Sequence, residues 1–387
     1  MRDSAQVGIV GAGPAGARAA ELLAREGVDV VLIDPKAPWE KPCGGGLTPA
    51  LFDEIPDLRD AQHLARPVRE ARIELGPHDG FLVSLDAPIW MISREALARW
   101  QLARAIGAGA LHLAARVSRI ERTGRGWLLD TDVGRLEVSA LVGADGAAST
   151  VRAAVAPTLP VELIAARVAY PRGEGLAPGT LVLRFNSDLV GYLWDFPRLD
   201  HRSIGIEAAA GPRTRAELDQ RIDAFRREWA AADGEAGDLG AGVPRAGAVI
   251  GTARLGHGDF SGIAGVGFAL LGDAAGLADP FTGEGIRSAL RSADLFVRAW
   301  RMGRDWRITY PALARQAFAR DLAVARLLRR TLSETGAGVR LIEWALASRV
   351  AYAVAATTLN AANLHDYTPR RLVRLFSRAL ASRLRAA

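Results

Sequence analysis

Apolar positions along this chain change period several times, and the changes outline a fold. Gln6 to Val10 is a short, continuously apolar run. After a glycine-rich turn, Ala17 to Glu26 carries small and apolar residues at helical spacing and stops at Gly27, the residue type that most often ends a helix. Val28 to Ile33 is apolar again and closes on Asp34. Strand, turn, helix and strand within about 30 residues predict a βαβ unit. Lys36 to Pro49 is rich in Pro and Gly and reads as a loop. Arg69 to Ile92 alternates, predicting strands with a turn near residues 76–80. Arg94 to Ala105 returns to helical spacing, with Ser93 placed as a cap. His112 to Asp132 predicts strands joined at Thr123–Gly126, and Leu136 to Ala144 a buried strand.

Beyond Pro157, β-like segments continue to Glu207, with turns expected at 172–179 and 197–202. A helix is predicted over 213–231, a strand over 247–254 and another over 265–271. From Ile286 the pattern is helical almost to the end. The expected class is α/β, or α+β overall. A Rossmann-like nucleotide-binding domain (1–70, 90–155 and 265–300) is interrupted by a mainly β-sheet domain (71–89 and 156–264), and a helical C-terminal region follows (301–387).

The glycines add chemistry. Gly11, Gly13 and Gly16 form G-x-G-x-x-G between the first strand and its helix. The first glycine permits the tight turn, the second a close approach to a pyrophosphate, and the third close packing of helix on strand. The helix start then offers free N–H groups to phosphates. Asp34, at the end of the second strand, stands where an acid can bind a ribose 2′-hydroxyl. Arg94 opens a helix, either as a solvated charge or as a guanidinium on the pyrophosphate. Gly143 and Gly146 flank Asp145 in a strand-to-helix connection with Ser149 as cap, and Asp145 is expected to organise that loop. Far downstream, Leu270 to Ile286 (LLGDAAGLADPFTGEGI) brings Gly272, Asp273 and another glycine-rich helix start. Asp273 can meet ribityl hydroxyls there, and helix N–H groups can face a flavin's pyrimidine edge. A chain that grips one cofactor from both ends suggests a flavoprotein rather than a simple nicotinamide dehydrogenase.

Composition narrows the partners. Of 387 residues, 49% are hydrophobic and 24% charged, enough for a large core. The net charge is +6, yet Lys36 and Lys41 are the only lysines. Arginine is spread along the chain, which fits a GC-rich bacterial genome and argues against a nucleic-acid surface. With one cysteine, Cys43, no disulfide framework or Cys-rich metal site is expected, and no metal is assigned. A strand follows within six residues of Met1, so no signal peptide is expected. No apolar run reaches the roughly 18 residues of a membrane span. The nearest, 341–360, contains Glu343 and Arg349. A cytoplasmic location is expected.

Two further motifs concern a substrate. Lys41 to Thr48 reads KPCGGGLT, and Gly191 to Pro197 reads GYLWDFP. Three consecutive glycines let a loop pass close over a planar ring. Cys43 is then either a small buried hydrophobe or a thiol that supplies a proton; its reference pKa of about 8.5 keeps it protonated at neutral pH. Tyr192, Trp194 and Phe196 share one face at period two, as sheet core or as an aromatic wall for an apolar substrate.

The four nucleotide-binding segments together resemble the para-hydroxybenzoate-hydroxylase-like FAD oxidoreductases. The C-G-G loop and Y-x-W-x-F-P motif are similar to those of the geranylgeranyl reductase family, and the resemblance spans about the first 300 residues. It implies non-covalent FAD held by Gly11, Gly13, Pro14, Ala15, Gly16, Asp34, Pro35, Cys43, Gly44, Gly45, Arg94, Val117, Asp145, Gly272, Asp273, Pro280, Gly283, Gly285 and Ile286. It also implies a substrate lined by Gly46, Tyr192, Trp194 and Phe196; in the thiol reading above, Cys43 is the catalytic acid. The implied reaction is hydrogenation of C=C bonds in an isoprenoid or lipid-like molecule. No second G-x-G-x-x-G is visible, so the external donor would be NADPH bound transiently, ferredoxin or another reductant. Alternatives with the same fold are a monooxygenase of an aromatic or polyketide-like metabolite, and a halogenase. The halogenase motif G-W-x-W-x-I-P has Tyr192 and Phe196 in place of Trp and Ile here, and its distant lysine has no counterpart after Lys41. A non-catalytic FAD-binding protein is the alternative of another kind.

Residues 368–385 are amphipathic. Leu372, Leu375, Phe376, Leu380 and Leu384 form one stripe, with Arg371, Arg374, Arg378 and Arg385 elsewhere. This predicts either a helix docked on its own protein or peripheral contact with the inner face of an anionic membrane.

Overall fold

The computed structural model describes residues 3–75, 79–172, 179–186, 191–209, 215–233, 245–253, 260–303, 305–333, 349–364 and 369–385, with 337, 340 and 344. Two eight-stranded sheets organise them. The first contains β1 (Ser4–Val10), β2 (Val30–Ile33), β6 (Leu111–Leu113), β7 (Val117–Arg122), β8 (Trp127–Thr131), β9 (Gly134–Gly143), β15 (Ala264–Gly265) and β16 (Phe268–Leu270). Its central path runs β15-β16-β9-β1-β2-β6, and β8 joins β9 to β7. β16, β9, β1, β2 and β6 pair with one another in parallel, whereas β15 and β8 run antiparallel to β16 and β9. Val7, Ile9, Val30 to Ile33, Leu141 and Val142 are almost wholly buried, as strands covered on both faces must be.

Helix α1 (Pro14–Arg25) connects β1 to β2. Its buried Ala17, Ala19 and Ala20 let the helix lie close on the sheet. Glu21 fixes the neighbours: it pairs with Arg104 on α3 (Arg94–Gly107) at 2.7 Å and with Arg25 at 2.6 Å. The short α4 (Thr150–Val155) follows β9, capped by Ser149, whose hydroxyl accepts the Arg152 N–H. Helices α6 (Ile286–Arg301) and α7 (Trp306–Leu328) complete this core through Ala293, Phe296, Tyr310, Ala314 and Phe318.

The second sheet runs β14-β10-β13-β12-β11-β4-β5-β3. Its strands are β3 (Gly46–Leu47), β4 (Ala65–Leu75), β5 (Asp79–Ile92), β10 (Val161–Ala169), β11 (Thr180–Phe185), β12 (Gly191–Pro197), β13 (Arg202–Ala209) and β14 (Arg245–Ala253). Side chains alternate along β12, so Leu193 joins a cluster with Leu218, Ile222 and Phe225 of α5 (Arg215–Asp233). On the other face, Phe196 packs in a cluster with Leu359 of α8 (Arg349–Leu364). Asn360 binds α8 to β5: its amide oxygen accepts the Asp86 N–H at 2.8 Å, and its amide nitrogen donates to the Ser84 carbonyl. The α2 helix (Pro49–Glu54) and a 3-10 helix (Pro56–Leu64) precede β4.

The chain divides into two compact units, residues 1–40, 94–164 and 249–327, and residues 41–93, 165–248 and 328–387. This differs from the boundaries expected from sequence. Residues 41–70 fall in the second unit because β3 and β4 pair with β5. The helical end is shared: α7 closes the first core, whereas α8 covers the second sheet. The segment 265–271, expected as one strand, is two short antiparallel strands turning at Gly267, whose φ is +74°. The expected turns at 76–80 and 172–179 lie mostly outside the described residues, as do residues 213, 214 and 254.

The amphipathic tail is helix α9 (Pro369–Arg385), packed on α8. Leu375 is buried, and Arg371 and Arg378 reach Asp86 at 3.3 and 3.4 Å. The side chains of Leu384 and Arg385 lie outside the description. No described helix is long and apolar enough to cross a membrane.

Candidate active site

Parallel pairing aligns the carboxyl ends of four strands. Val10 stands beside Ile33 and Gly143, and Leu270 beside Gly143. The loops leaving these strands meet at one edge, where open α/β sheets place their ligands.

The three fingerprint glycines separate by role. Gly11 has φ +99°, and a Cβ there would lie 2.3 Å from the Ala144 carbonyl oxygen. A Cβ on Gly16 would lie 1.8 Å from the Gly11 oxygen, so this position holds helix to turn. Gly13 meets nothing within 4 Å. It is the N-cap of α1, where no side chain caps the helix and Pro14 brings no N–H of its own. An open approach to uncapped N–H groups, those of Ala15 and Gly16, fits an anion such as a pyrophosphate.

Asp34 is committed to backbone. One carboxylate oxygen accepts the Ala12 N–H at 2.9 Å, and the other accepts those of Lys36 and Ala37 at 2.8 and 3.1 Å. It thereby shapes both the glycine turn and the bend through Pro35. The first oxygen keeps a lone pair that a ribose hydroxyl can reach.

Arg94 begins α3, where the Glu40 carboxylate accepts the N–H groups of Arg94 and Glu95 at 3.2 and 2.9 Å. The Arg94 side chain is only 8% exposed, its Nε has no hydrogen-bond partner, and no described carboxylate pairs with it. A buried guanidinium without a counter-ion is costly, and an anionic ligand would satisfy it. Two turns along α3, Gln101 donates to the Pro14 carbonyl at 3.4 Å, tying the helix to the turn.

The second loop is built against the first. Gly272, with φ +54°, would carry a Cβ 3.2 Å from that of Ala289 on α6 and 3.5 Å from that of Ala15 on α1. Its N–H donates to the Ser292 hydroxyl at 3.0 Å. The Asp273 carboxylate lies 3.1 Å from where a Cβ on Gly285 would stand, a close approach to the N-cap of α6. Pro280 and Ile286 are buried, and Gly283 has φ +66°. Two acids were not singled out from sequence. Asp279 accepts the Phe281 and Thr282 N–H groups at 2.8 Å each, and burial raises its pKa. Glu284 is pushed up to about 7 by burial; the Arg287 N–H and charge oppose this, while Asp279 and Asp273 add to it. The Asp-Pro-x-Thr-Gly spacing, an Asx-type turn, was the available signal for Asp279.

Asp145 works inside its own loop. Its carboxylate accepts the Ser149 hydroxyl and the Thr150 and Val151 N–H groups, the latter two at 2.7 and 3.1 Å. Arg152 then donates to the Ala274 carbonyl at 3.0 Å and to that of Ala147, joining this loop to the second one. Val117 begins β7 with its side chain buried, paired to Thr131.

The two substrate motifs come together within the second unit. Phe185, Tyr192, Trp194 and Phe196 form a ladder with ring centroids 5.9, 6.0 and 6.2 Å apart. Trp194 is buried, and its Nε1 donates to the Ser203 hydroxyl at 3.1 Å; Tyr192 and Phe196 stay half-buried. The C-G-G loop lies on this ladder. A Cβ on Gly44 would fall 2.5 Å from the Phe196 ring, and one on Gly45, with φ +79°, 2.1 Å from the Ile92 oxygen. Gly46 is in β3, opposite Met91. The half-buried Cys43 accepts the Gly45 N–H at Sγ, 3.3 Å away.

Residues 4–50 match the model of an FAD binding domain family. Together with the turn, the open Gly13 and the unmatched Arg94, this defines the class: an FAD-dependent oxidoreductase. The menaquinone reductase of Mycolicibacterium smegmatis is 32% identical over 359 residues, covering 85% of this chain and 84% of the relative. The geranylgeranyl diphosphate reductase of Synechocystis is 27% identical over 317 residues, covering 74% and 73%. A geranylgeranyl bacteriochlorophyll reductase-like crystal structure from Thermoplasma acidophilum superposes with a TM-score of 0.74 over 100% of this chain and 99% of the other, at 19% identity, and shares its fold. The chain belongs to the geranylgeranyl reductase family of FAD-dependent oxidoreductases.

Proposed function

We propose that this protein hydrogenates C=C bonds in the polyprenyl part of a lipid-like substrate. Menaquinone and geranylgeranyl diphosphate, named in its relatives, both carry such a chain. The observation that carries the reading is the seating of the Cys-Gly-Gly loop on the aromatic ladder through Gly44 and Phe196. It lays the backbone that follows Cys43 on a wall of aromatic rings, which supports reading the two motifs as a site for an apolar chain with Cys43 as proton donor.

FAD is the resident group, and in its reduced form it supplies a hydride equivalent. NADPH or another external donor provides the electrons. Gly13, the N–H groups of Ala15 and Gly16 and Arg94 bind the pyrophosphate; Asp34 and Asp273 take hydroxyls of the ribose and ribityl chain. Tyr192 and Phe196 orient the polyprenyl chain and exclude water, and the Cys43 thiol holds the proton that completes reduction. An isolated alkene accepts hydride poorly, so placement contributes much of the rate. On α9, the exposed Arg370, Val373 and Arg374 support contact with an anionic lipid surface, where such substrates reside. Sedimentation with anionic but not neutral vesicles checks this.

The test of the reaction is anaerobic. Chemically reduced holoprotein is mixed with menaquinone or geranylgeranyl diphosphate, and flavin absorbance and product mass are followed. Reoxidation with a product two hydrogens heavier per bond is expected. Turnover that requires oxygen and incorporates labelled oxygen would identify a monooxygenase instead.

A further inference from the structure

Arg198 directly follows the Y-x-W-x-F-P motif and is 1% exposed. Its guanidinium is spent on the neighbourhood of the cysteine. Nη2 donates to the Cys43 carbonyl at 2.7 Å, and Nη1 stands 3.0 Å from His201 Nε2. The group lies over the Tyr170 ring, 5.3 Å from its centroid. A second donor reaches the same carbonyl: the Ser203 hydroxyl at 3.0 Å, itself accepting from Trp194 Nε1. The Cys43 carbonyl therefore ends two converging chains of hydrogen bonds, both starting in the segment that carries the aromatic motif. Downstream of that carbonyl, Gly45 turns back so that its N–H meets Sγ.

The chemistry of the guanidinium fixes the direction of its bond to His201. A guanidinium can only donate, so His201 Nε2 is an acceptor. The ring hydrogen is then on Nδ1, directed at the Asp200 carboxylate 2.7 Å away. Protonating His201 would set an N–H and a positive charge against Arg198 at 3.0 Å. Among the described residues, the groups facing His201 are Arg198 and Asp200 on its own turn, Tyr170 across a ring contact of 5.7 Å, and Arg172, its backbone bridge partner. Arg66 of β4 donates to the Arg198 carbonyl at 3.4 Å from behind.

We propose that Arg198, assisted by Ser203, is the positioning residue that holds the Cys43 thiol in its working geometry. The proposal rests on the reading of Cys43 as proton donor for its purpose, but not for its test. Cys43 is the only cysteine in the chain, so its reaction with dipyridyl disulfide, which stays reactive in acid, reports this thiol alone in FAD-loaded full-length protein.

The thiol's apparent pKa is read from the pH dependence of that rate. Arg198→Met removes a nearby positive charge and frees the loop that presents the Gly45 N–H, so the pKa should rise by about half a unit or more. Arg198→Lys should restore at least half of the shift. His201→Gln keeps an acceptor for Arg198 and should leave the thiol's profile as in the parent. Should Arg198→Met fail to bind FAD, Ser203→Ala, which removes one of the two donors, should show a smaller shift of the same sign. A parent-like profile in folded Arg198→Met, or in Ser203→Ala where the first variant does not fold, overturns the proposal. Separately, Cys43→Ala that reoxidises at the parent rate would remove the proton-donor role and leave the thiol measurements standing.

Discussion

Arg18 of α1 donates from Nε to Asp294 of α6 at 2.8 Å, across 276 residues of chain. The first helix of the protein and the helix after the second glycine-rich loop are thus fastened directly, in a partly buried pair. Both helices follow loops proposed to hold FAD, so the pair should bear on its retention as well as on stability. Arg18→Ala and Asp294→Ala should each lower the melting temperature, and the double variant should lose less than the sum, with a coupling of about 1 kcal/mol. Thermal unfolding of the four-member cycle checks this; strictly additive losses would mean that the pair contributes nothing.

Two of the fingerprint glycines should behave oppositely. Gly16→Ala drives a Cβ into the Gly11 oxygen and should destabilise the protein with or without FAD. Gly13→Ala has open space and a φ of −70° that alanine tolerates. It should leave the melting temperature of FAD-free protein unchanged and weaken FAD binding. Unaltered FAD affinity in Gly13→Ala would move the pyrophosphate away from this turn.

Arg94 offers a sign test. A buried guanidinium without a counter-ion disfavours the FAD-free state. Arg94→Met should therefore leave FAD-free protein as stable as the parent or more stable, while FAD affinity falls by about 10- to 100-fold, roughly the 1.5–3 kcal/mol of a charge-assisted hydrogen bond. Equal losses in both states would assign Arg94 to packing.

The raised pKa of Glu284 predicts a pH dependence. Between its ordinary value of 4.5 and about 7, folded Glu284 binds a proton that the unfolded chain has released. Its contribution to stability is full below 4.5 and is lost as pH rises through about 7. Asp145, Asp195 and Asp279, also raised by burial, act with the same sign. FAD-free protein should melt lower at pH 8 than at pH 5.5, and Glu284→Gln should flatten part of that slope. A variant with the parent's slope would locate the titration elsewhere.

Local signals were legible in the sequence. The βαβ unit, the glycine spacing, the Thr123–Gly126 turn and the period-two aromatics each depend on residues a few positions apart, and each has its counterpart in the structure. What escaped depends on long-range pairing. The ring beneath the C-G-G loop is Phe196, more than half a sheet away in sequence, and the anchors Arg198 and Ser203 have no local pattern of their own. Residues 41–70 follow the nucleotide-binding strands directly, yet β4 finds its partners in β5 and β11. Asp34 looked like a bare ligand because its three backbone donors belong to turns whose shape sequence spacing does not reveal.

The placement of β16 beside β9 has a consequence for biosynthesis. β1, β2 and β9 can assemble while the chain is still being translated, but the carboxyl end of β9 then presents an unpaired edge until residues 268–270 leave the ribosome. Five strands of the second sheet, β10 to β14, are made in that interval. A nascent chain of this protein therefore carries an open, apolar parallel edge through the middle of its synthesis, the state in which it is most exposed to mispairing and most dependent on chaperones.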